Sequence, residues 1–255
     1  LTFTGSTGVG KMLMEQCAGT VKKVTMELGG NAPLIVFDDA DLDAAVSGLK
    51  AAKFRNSGQT CVCVYRVLVQ DSIYDQFSAK LCAAVAELKV GDGFTDGVQQ
   101  GPLIDNAAVS KVDELVADAV THGATVLLGG SKHALGGTFF EPTVIGDATP
   151  DMQFAQEEIF GPVAPLFRFS TESEAVALAN ATDVGLASYC YTRDLGRAWR
   201  VAEDLEYGIA GVNTGLISNP MAPFGGIKES GLGREGSKYG IEDYLTIKYI
   251  CFAGL

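Results

Sequence analysis

The chain has 255 residues, of which 47% are hydrophobic and 20% charged, as in a globular protein with one or two domains. Nucleic acids and anionic membrane surfaces would repel its formal net charge of -12, so we expect neither as a partner. No apolar run approaches the roughly 20 residues of a membrane-spanning helix. No charged-then-apolar leader is visible, and we expect a cytoplasmic protein, or one of the mitochondrial matrix if the source is eukaryotic.

Strand-like and helix-like segments alternate along the chain, beginning with the strand LTFTG and the helix GVGKMLMEQCAG. The later predicted strands are KKVTMEL, PLIVF, YRVLVQ, ATVLLGG, FFEPTVI, PLFRF, ASYCYT and IAGVN. The later predicted helices are DDADLDAAVSGLKAAKF, SIYDQFSAKLCAAVAELKV ending at Gly91, NAAVSKVDELVADAVTHG, ESEAVALANA and LGRAWRVAEDLEYG. This alternation predicts an α/β fold with substantial parallel strand pairing. The tail YLTIKYICFAG alternates like a strand that adds to a partner subunit, so we expect a homo-oligomer.

The segment GSTGVGKM, from Gly5 to Met12, resembles a nucleotide-triphosphatase P-loop. That motif requires Ser or Thr after the lysine, because the hydroxyl group holds the magnesium ion, and Met12 has none. A strand, a glycine turn and a helix still place backbone N–H groups and a hydroxyl at a helix N-terminus, which favours phosphate. A dinucleotide pyrophosphate site and a plain glycine turn are both open interpretations of the segment alone.

Six cysteines are spread too widely for the disulfide framework of a small secreted domain. Cys61 lies in the polar loop RNSGQTCVC, where we expect the partial exposure that a reactive thiolate needs. Four others lie in apolar patterns that predict core positions, namely Cys17, Cys82, Cys190 and Cys251.

Glu27 ends the apolar strand segment VTMEL, where burial would raise the pKa of its carboxyl group toward that of a general base. An exposed residue at a strand end is the alternative. Glu158 lies in EEIFGPV, before an aromatic residue and a Gly-Pro turn. His122 and His133 have no second ligand at helical spacing, so we predict no metal site.

Five segments occur in the order FTGST, ELGGNAP, GQTC, EEIFGPV and PFGGIKESGLGREG, and together they resemble the aldehyde dehydrogenase superfamily over essentially the whole chain. KFRNSGQTCVC, NTGLIS and GREGSKYGIEDYL further resemble its succinate-semialdehyde dehydrogenase branch. The resemblance implies the last strand and helix of a Rossmann-type NAD(P)-binding domain over 1–28. It implies the catalytic domain over 29–226, and a returning segment with an oligomerisation tail over 227–255. Since the chain starts at Leu1 inside a strand, we expect part of a longer polypeptide.

The resemblance makes Cys61 the nucleophile and Glu27 the general base. Thiolate attack on an aldehyde gives a thiohemiacetal that can release hydride to the nicotinamide of NAD or NADP. Water deprotonated by the carboxylate then hydrolyses the thioester, so that succinate semialdehyde becomes succinate. Lys11 becomes an ordinary helix residue. The implied cofactor-binding residues are Gly5, Ser6, Thr7, Gly8, Val9, Gly10, Leu28, Glu158 and Phe160.

The resemblance implies Arg55 and Ser218 as substrate-binding residues. The guanidinium group of Arg55 would bind the far carboxylate of a semialdehyde bidentately, and Ser218 would donate a further hydrogen bond. Glutarate semialdehyde, another aldehyde, or a non-catalytic fragment are the alternatives. The resemblance also implies a possible disulfide between Cys61 and Cys63 that would switch off the nucleophile, against a spectator thiol at Cys63. We expect the parent enzyme to be a dimer or tetramer and the isolated chain to be inactive.

Overall fold

Twelve strands and six α-helices are present in residues 1–254, the part of the chain that the computed structural model describes. The strands are β1 (Thr2–Thr4), β2 (Thr25–Glu27), β3 (Ala32–Val36), β4 (Val64–Gln70), β5 (Thr125–Leu128), β6 (Thr143–Ala148), β7 (Val163–Phe169), β8 (Val184–Gly185), β9 (Ala187–Tyr191), β10 (Ile209–Val212), β11 (Ile227–Lys228) and β12 (Gly231–Leu232). The helices are α1 (Thr7–Ala18), α2 (Leu42–Phe54), α3 (Tyr74–Ala86), α4 (Asn106–Thr121), α5 (Glu172–Asn180) and α6 (Leu195–Asp204).

The main sheet has seven strands in the order β10-β9-β3-β4-β7-β6-β5. Every neighbouring pair is parallel except β5 and β6, which confirms the predicted α/β fold with parallel pairing. The central strands β3 and β9 are buried at every residue, as expected for a sheet covered on both faces. Two hydrophobic clusters fill the space on either side of this sheet.

Three adjacent strands of the main sheet determine where the loops that carry the predicted site residues meet. β3, β4 and β7 are neighbours and run parallel, so the segments that precede them emerge at the same edge of the sheet. These segments are the loop 28–31, the loop 55–63 and the loop 156–162. Ala32 of β3 pairs with Val64 of β4, which brings the first two loops side by side.

A smaller sheet supports the first of these loops. Its order is β1-β2-β12, with β1 parallel and β12 antiparallel to the central strand β2. Glu27, the last residue of β2, pairs with Thr4 on one side and Gly231 on the other. The carboxyl end of β2 is therefore fixed from both sides before the chain turns toward β3.

Helix α1 begins where the glycine turn predicts it. Ser6 is its N-cap and accepts a hydrogen bond from the N–H of Val9. Lys11 projects from the helix and forms an ion pair with Glu229 at 2.6 Å. Lys11 is thus an ordinary helix residue, and the likeness to a P-loop carries no phosphate-binding lysine.

One predicted element differs from the structure. Helix α3 ends at Ala86 rather than Gly91, because Lys89 and Gly91 form backbone hydrogen bonds with Gln99 and Gln100 instead of continuing the helix. Residues 246–254 of the tail have no strand assignment within the described chain, and their pairing with a partner subunit stays a prediction. Leu255, the last residue of the predicted oligomerisation tail, lies outside the described residues.

The predicted core cysteines are mostly buried. Cys17 and Cys190 are buried and Cys82 is half-buried on α3, whereas Cys251 is exposed because the tail that carries it packs on nothing in residues 1–254. Within the same residues, no helix has the length and apolarity needed to cross a membrane.

Candidate active site

The three loops at the edge of β3, β4 and β7 surround a cavity of about 590 Å³, together with the start of α1. Cys61, Glu27 and Glu158 all contribute to its wall. The cavity thus brings together the thiol and the two carboxyl groups that were singled out in three separate segments. Its lining residues are Thr4, Gly5, Ser6, Glu27, Leu28, Gly29, Gln59, Thr60, Cys61, Ala108, Lys111, Glu158, Ile159 and Phe160.

The loop that carries Cys61 is held in an unusual backbone conformation. Asn56 and Ser57 both have positive φ angles, of 49° and 56°, which are rare for residues other than glycine. Gly58 follows with a φ of +76°, and a Cβ there would lie 2.1 Å from the carbonyl oxygen of Gly161. The loop therefore packs directly against the backbone of the loop that carries Glu158, and a glycine is required at this contact.

Glu27 is a buried carboxyl group without a partner. Its side chain is 4% exposed, and neither carboxylate oxygen has a hydrogen-bond partner among the described residues. Burial raises the pKa of Glu27 to about 7; the nearby Glu235 adds to the rise and Arg234 opposes it. A carboxyl group with this pKa can both accept and release a proton near neutral pH.

The pKa of Glu158 is also raised toward neutral pH. Burial raises its pKa to about 7, against the stabilising effects of the Gly30 N–H, Lys111 and Lys53. The Gly30 N–H donates to its Oε1 atom at 3.2 Å, which ties the carboxyl group to the loop before β3.

Cys61 is half-buried and carries a free thiol. Burial, to which the carboxylates of Glu158 and Glu27 add, raises the pKa of Cys61 to about 11, while its own backbone N–H opposes the shift. The thiol is therefore protonated at neutral pH in this structure, and a base must remove its proton before it can act as a nucleophile. Glu27, on the same cavity, is a base with a suitable pKa.

Some of the predicted cofactor residues line this cavity and the others do not. Gly5, Ser6, Leu28, Glu158 and Phe160 line the cavity, and Phe160 is 38% exposed there. Thr7 lies in an adjoining cavity of about 280 Å³. Of the rest, Gly8 and Val9 are exposed in the first turn of α1, and Gly10 is buried against Leu28.

Of the predicted substrate and redox residues, Cys61 lines this cavity, whereas Arg55, Ser218 and Cys63 lie outside its wall. Arg55 is half-buried and lines a separate cavity of about 510 Å³ between α2 and α3, and Ser218 is exposed in the loop after β10. Cys63 is a free, fully buried thiol that contacts the Thr60 hydroxyl at 2.8 Å.

Several lining residues were not predicted from the sequence. Gln59 and Thr60 could have been found, because they adjoin Cys61 in GQTC. Lys111 could not, since a lysine on the amphipathic helix α4 is indistinguishable from a solvated one. Its Nζ donates to the carbonyl of Glu158 at 2.6 Å. No group of three or more His, Cys, Asp or Glu residues in 1–254 could hold a metal ion.

Comparison with known proteins gives a family match that covers nearly the whole chain. The model of the aldehyde dehydrogenase family matches residues 1–250. A 3-sulfolactaldehyde dehydrogenase of Pseudomonas putida is 65% identical over 100% of this chain and 52% of its own length. A glutarate-semialdehyde dehydrogenase of Pseudomonas aeruginosa is 63% identical over 100% of this chain and 53% of its own length.

The crystal structure of succinate-semialdehyde dehydrogenase from Burkholderia pseudomallei superimposes with a TM-score of 0.99 at 63% identity. The match covers 100% of this chain and 53% of that one. The chain thus spans about half the length of the relatives it matches.

Proposed function

Because this chain belongs to the aldehyde dehydrogenase family, we propose that its parent protein oxidises succinate semialdehyde to succinate with NAD or NADP. The observation that carries the proposal is the single cavity shared by Cys61, Glu27 and Glu158. A thiol, a carboxyl group with a pKa near 7 and a second carboxyl group are the groups that thiol-based aldehyde oxidation needs.

The residues around the cavity fit a nicotinamide cofactor. The N-terminus of α1, capped by Ser6, supplies N–H groups and a partial positive charge for a pyrophosphate. At Gly29 a Cβ would lie 3.0 Å from Glu158 Oε2, so a residue without a side chain keeps this carboxyl group uncrowded. We assign the cofactor to this end of the cavity, held by Gly5, Ser6, Leu28, Glu158 and Phe160. When bound, it supplies the hydride acceptor.

The chain's own residues would carry out the remaining chemistry. Glu27 removes the proton from Cys61, whose thiolate adds to the aldehyde carbon and forms a thiohemiacetal. The backbone N–H of Cys61, which already faces its own sulfur, stabilises the oxyanion. Before the second half of the reaction, Glu27 releases the proton taken from Cys61 to solvent. It then accepts a proton from the water that hydrolyses the thioester and gives it to the departing sulfur, so that Cys61 is regenerated as the thiol.

We assign the recognition of the substrate's far carboxylate to Arg55 and Ser218. Arg55 supports the assignment because its Nε atom is buried without a hydrogen-bond partner within residues 1–254, so a guanidinium donor is free. The names of the two relatives give glutarate semialdehyde and 3-sulfolactaldehyde as their substrates, and both compounds also carry an anionic group away from the aldehyde. They are the alternative substrates.

Initial rates of the full-length parent enzyme on succinate semialdehyde, glutarate semialdehyde and an uncharged aliphatic aldehyde test the proposal. Arg55→Ala should raise KM for both semialdehydes and leave the uncharged aldehyde unaffected, because only the former present a carboxylate. Arg193→Ala, at an exposed surface arginine, is the matched control. Equal loss on all three substrates would remove Arg55 from substrate recognition.

We further propose that residues 1–28 complete a cofactor domain lying outside this chain, and that 29–226 form the catalytic domain. The segment 227–255 then serves as a returning segment and oligomerisation tail. This proposal makes the isolated chain inactive, and measurable NAD(P) turnover by it would contradict the division. A non-catalytic role predicts that Cys61 alkylates no faster than the other five cysteines.

A further inference from the structure

Lys53 is the most unusual charged residue of the chain. It lies in the last turn of α2 and is fully buried, at 0% exposure. Its Nζ atom has no hydrogen-bond partner in the described part of the chain. Burying an amine in this way is strongly unfavourable unless another interaction offsets it. The interaction present is with an aromatic ring, since Nζ lies 4.1 Å from the centroid of Tyr65.

Tyr65 connects this lysine to the loop that carries Cys61. Its hydroxyl donates to the carbonyl oxygens of Gly58 and Thr60, each at 3.0 Å. A single phenol proton is shared between two acceptors, so how firmly the loop is held depends on the donor strength of that hydroxyl. Tyr65 is fully buried, and burial raises its pKa well above the usual value, so it remains a donor throughout the physiological range.

We propose that Lys53 is a positioning residue for the Cys61 loop: its ammonium group on the face of the Tyr65 ring strengthens the two hydrogen bonds by which that tyrosine holds the loop. A cation over the ring withdraws electron density from the phenol oxygen and makes its O–H a better donor. The importance of the loop for catalysis rests on the proposed function, whereas the effect of Lys53 on the loop does not.

The effect depends on pH, because burial lowers the pKa of Lys53 to about 7. The ammonium form dominates below this pH and the neutral amine above it. The titratable groups that face the amine are Cys63, Glu158 and Tyr65, and the first two, as anions, favour the ammonium form. The loop should therefore be held more firmly at pH 6 than at pH 8.5.

Amide hydrogen exchange of this chain tests the proposal without any enzymatic turnover. The reporters are the amides of Gln59 and Cys63, which donate to carbonyls within the loop. Corrected for intrinsic rates, their protection should fall about tenfold between pH 6 and pH 8.5 in the unmodified chain. Lys53→Met should show the low protection at both pH values. Lys50→Met, one turn earlier on α2, should behave like the unmodified chain.

A second variant separates positioning from general packing. In a Tyr65→Phe background, Lys53→Met should cause no further loss of protection, because the lysine acts through the hydroxyl that is absent. Additive losses, or protection that is independent of pH in the unmodified chain, would overturn the proposal. A firm pH response in this chain, together with a full-length parent protein that lacks dehydrogenase activity, would instead contradict only the proposed function.

Discussion

Gly30 lies so close to Cys61 that a Cβ atom at residue 30 would sit 2.6 Å from the carbonyl oxygen of Cys61. The pairing of Ala32 with Val64 explains this approach, because it sets the two preceding loops against each other. The backbone of the neighbouring loop therefore helps to fix the position of Cys61, together with the hydrogen bonds from the Tyr65 hydroxyl.

Gly30→Ala should destabilise the protein and displace Cys61. The new methyl group meets backbone, which cannot rotate away, and overpacking of this kind costs about 1–3 kcal/mol. Urea unfolding and the rate of Cys61 alkylation measure the two effects. Gly93→Ala is the control, since a Cβ there meets nothing within 4 Å. Equal stability of the two variants would show that the loops separate easily.

Glu27→Gln should stabilise the folded chain at pH 8. The pKa of Glu27 is about 7 in the folded state, against an ordinary value of 4.5, so the folded state binds more protons between these pH values. The contribution of this group to stability consequently falls as pH rises from about 4.5 to 7. Removing the charge should recover about 1–3 kcal/mol at pH 8 and none at pH 4.

In the parent enzyme, the same Glu27→Gln substitution should lower kcat about 10²–10⁴-fold, because an amide cannot act as the base. Glu15→Gln, at an exposed position of α1, serves as the control for both measurements. Full activity of the variant would assign the base to another residue.

Arg66→Met should be among the most destabilising single changes. The Arg66 guanidinium group is 3% exposed and donates to the carbonyls of Asn31, Leu178 and Ala179 and to the Tyr207 hydroxyl. Its removal leaves buried acceptors unpaired, and we expect a loss of about 2–4 kcal/mol in denaturant unfolding.

Tyr207→Phe removes one of these partners and should cost about 1 kcal/mol. If Arg66→Met were no worse than Tyr207→Phe, the carbonyl contacts would contribute little.

Cys63→Ala tests the redox switch. Peroxide should inactivate the parent enzyme. A thiol reductant should then restore activity only if a Cys61–Cys63 disulfide has protected the nucleophile from further oxidation. The Cys63 thiol contacts the Thr60 hydroxyl and the Lys53 carbonyl, and a disulfide would remove the thiol proton available to these contacts. Cys63→Ala should make inactivation irreversible, while Cys82→Ala should not. Unchanged recovery in Cys63→Ala would make it a spectator thiol.

Local patterns were sufficient to predict most helices and strands. The α2 helix begins at an Asp41 cap and carries apolar residues at helical spacing, and both features are visible in the sequence. The end of α3 was not predictable, because it depends on backbone hydrogen bonds that Lys89 accepts from Gln99 and that Gly91 donates to Gln100, both in a later loop. Whether the tail forms a strand depends on a neighbouring strand, and none is available to it within residues 1–254.

The candidate site was accessible from the sequence only through the order of several segments. Glu27 alone resembles an exposed strand end, and its burial depends on the flanking strands β1 and β12. Lys53 and Arg66 also carry no sequence signal for their environments, because a lysine near a helix end and an arginine in a strand are usually solvated. Their partners are distant in sequence.

The position of the three loops at the amino ends of β3, β4 and β7 has a consequence for how this protein can diverge. The alignment of the strands sets the distance between the thiol and the carboxyl groups. Loop residues that face the ligand can therefore be substituted without changing that distance. A single-residue insertion inside β4 would instead shift Cys61 relative to both acids at once. New substrate specificities should therefore arise by substitutions in the loops, whereas variants with altered strand length should lose activity and be removed by selection.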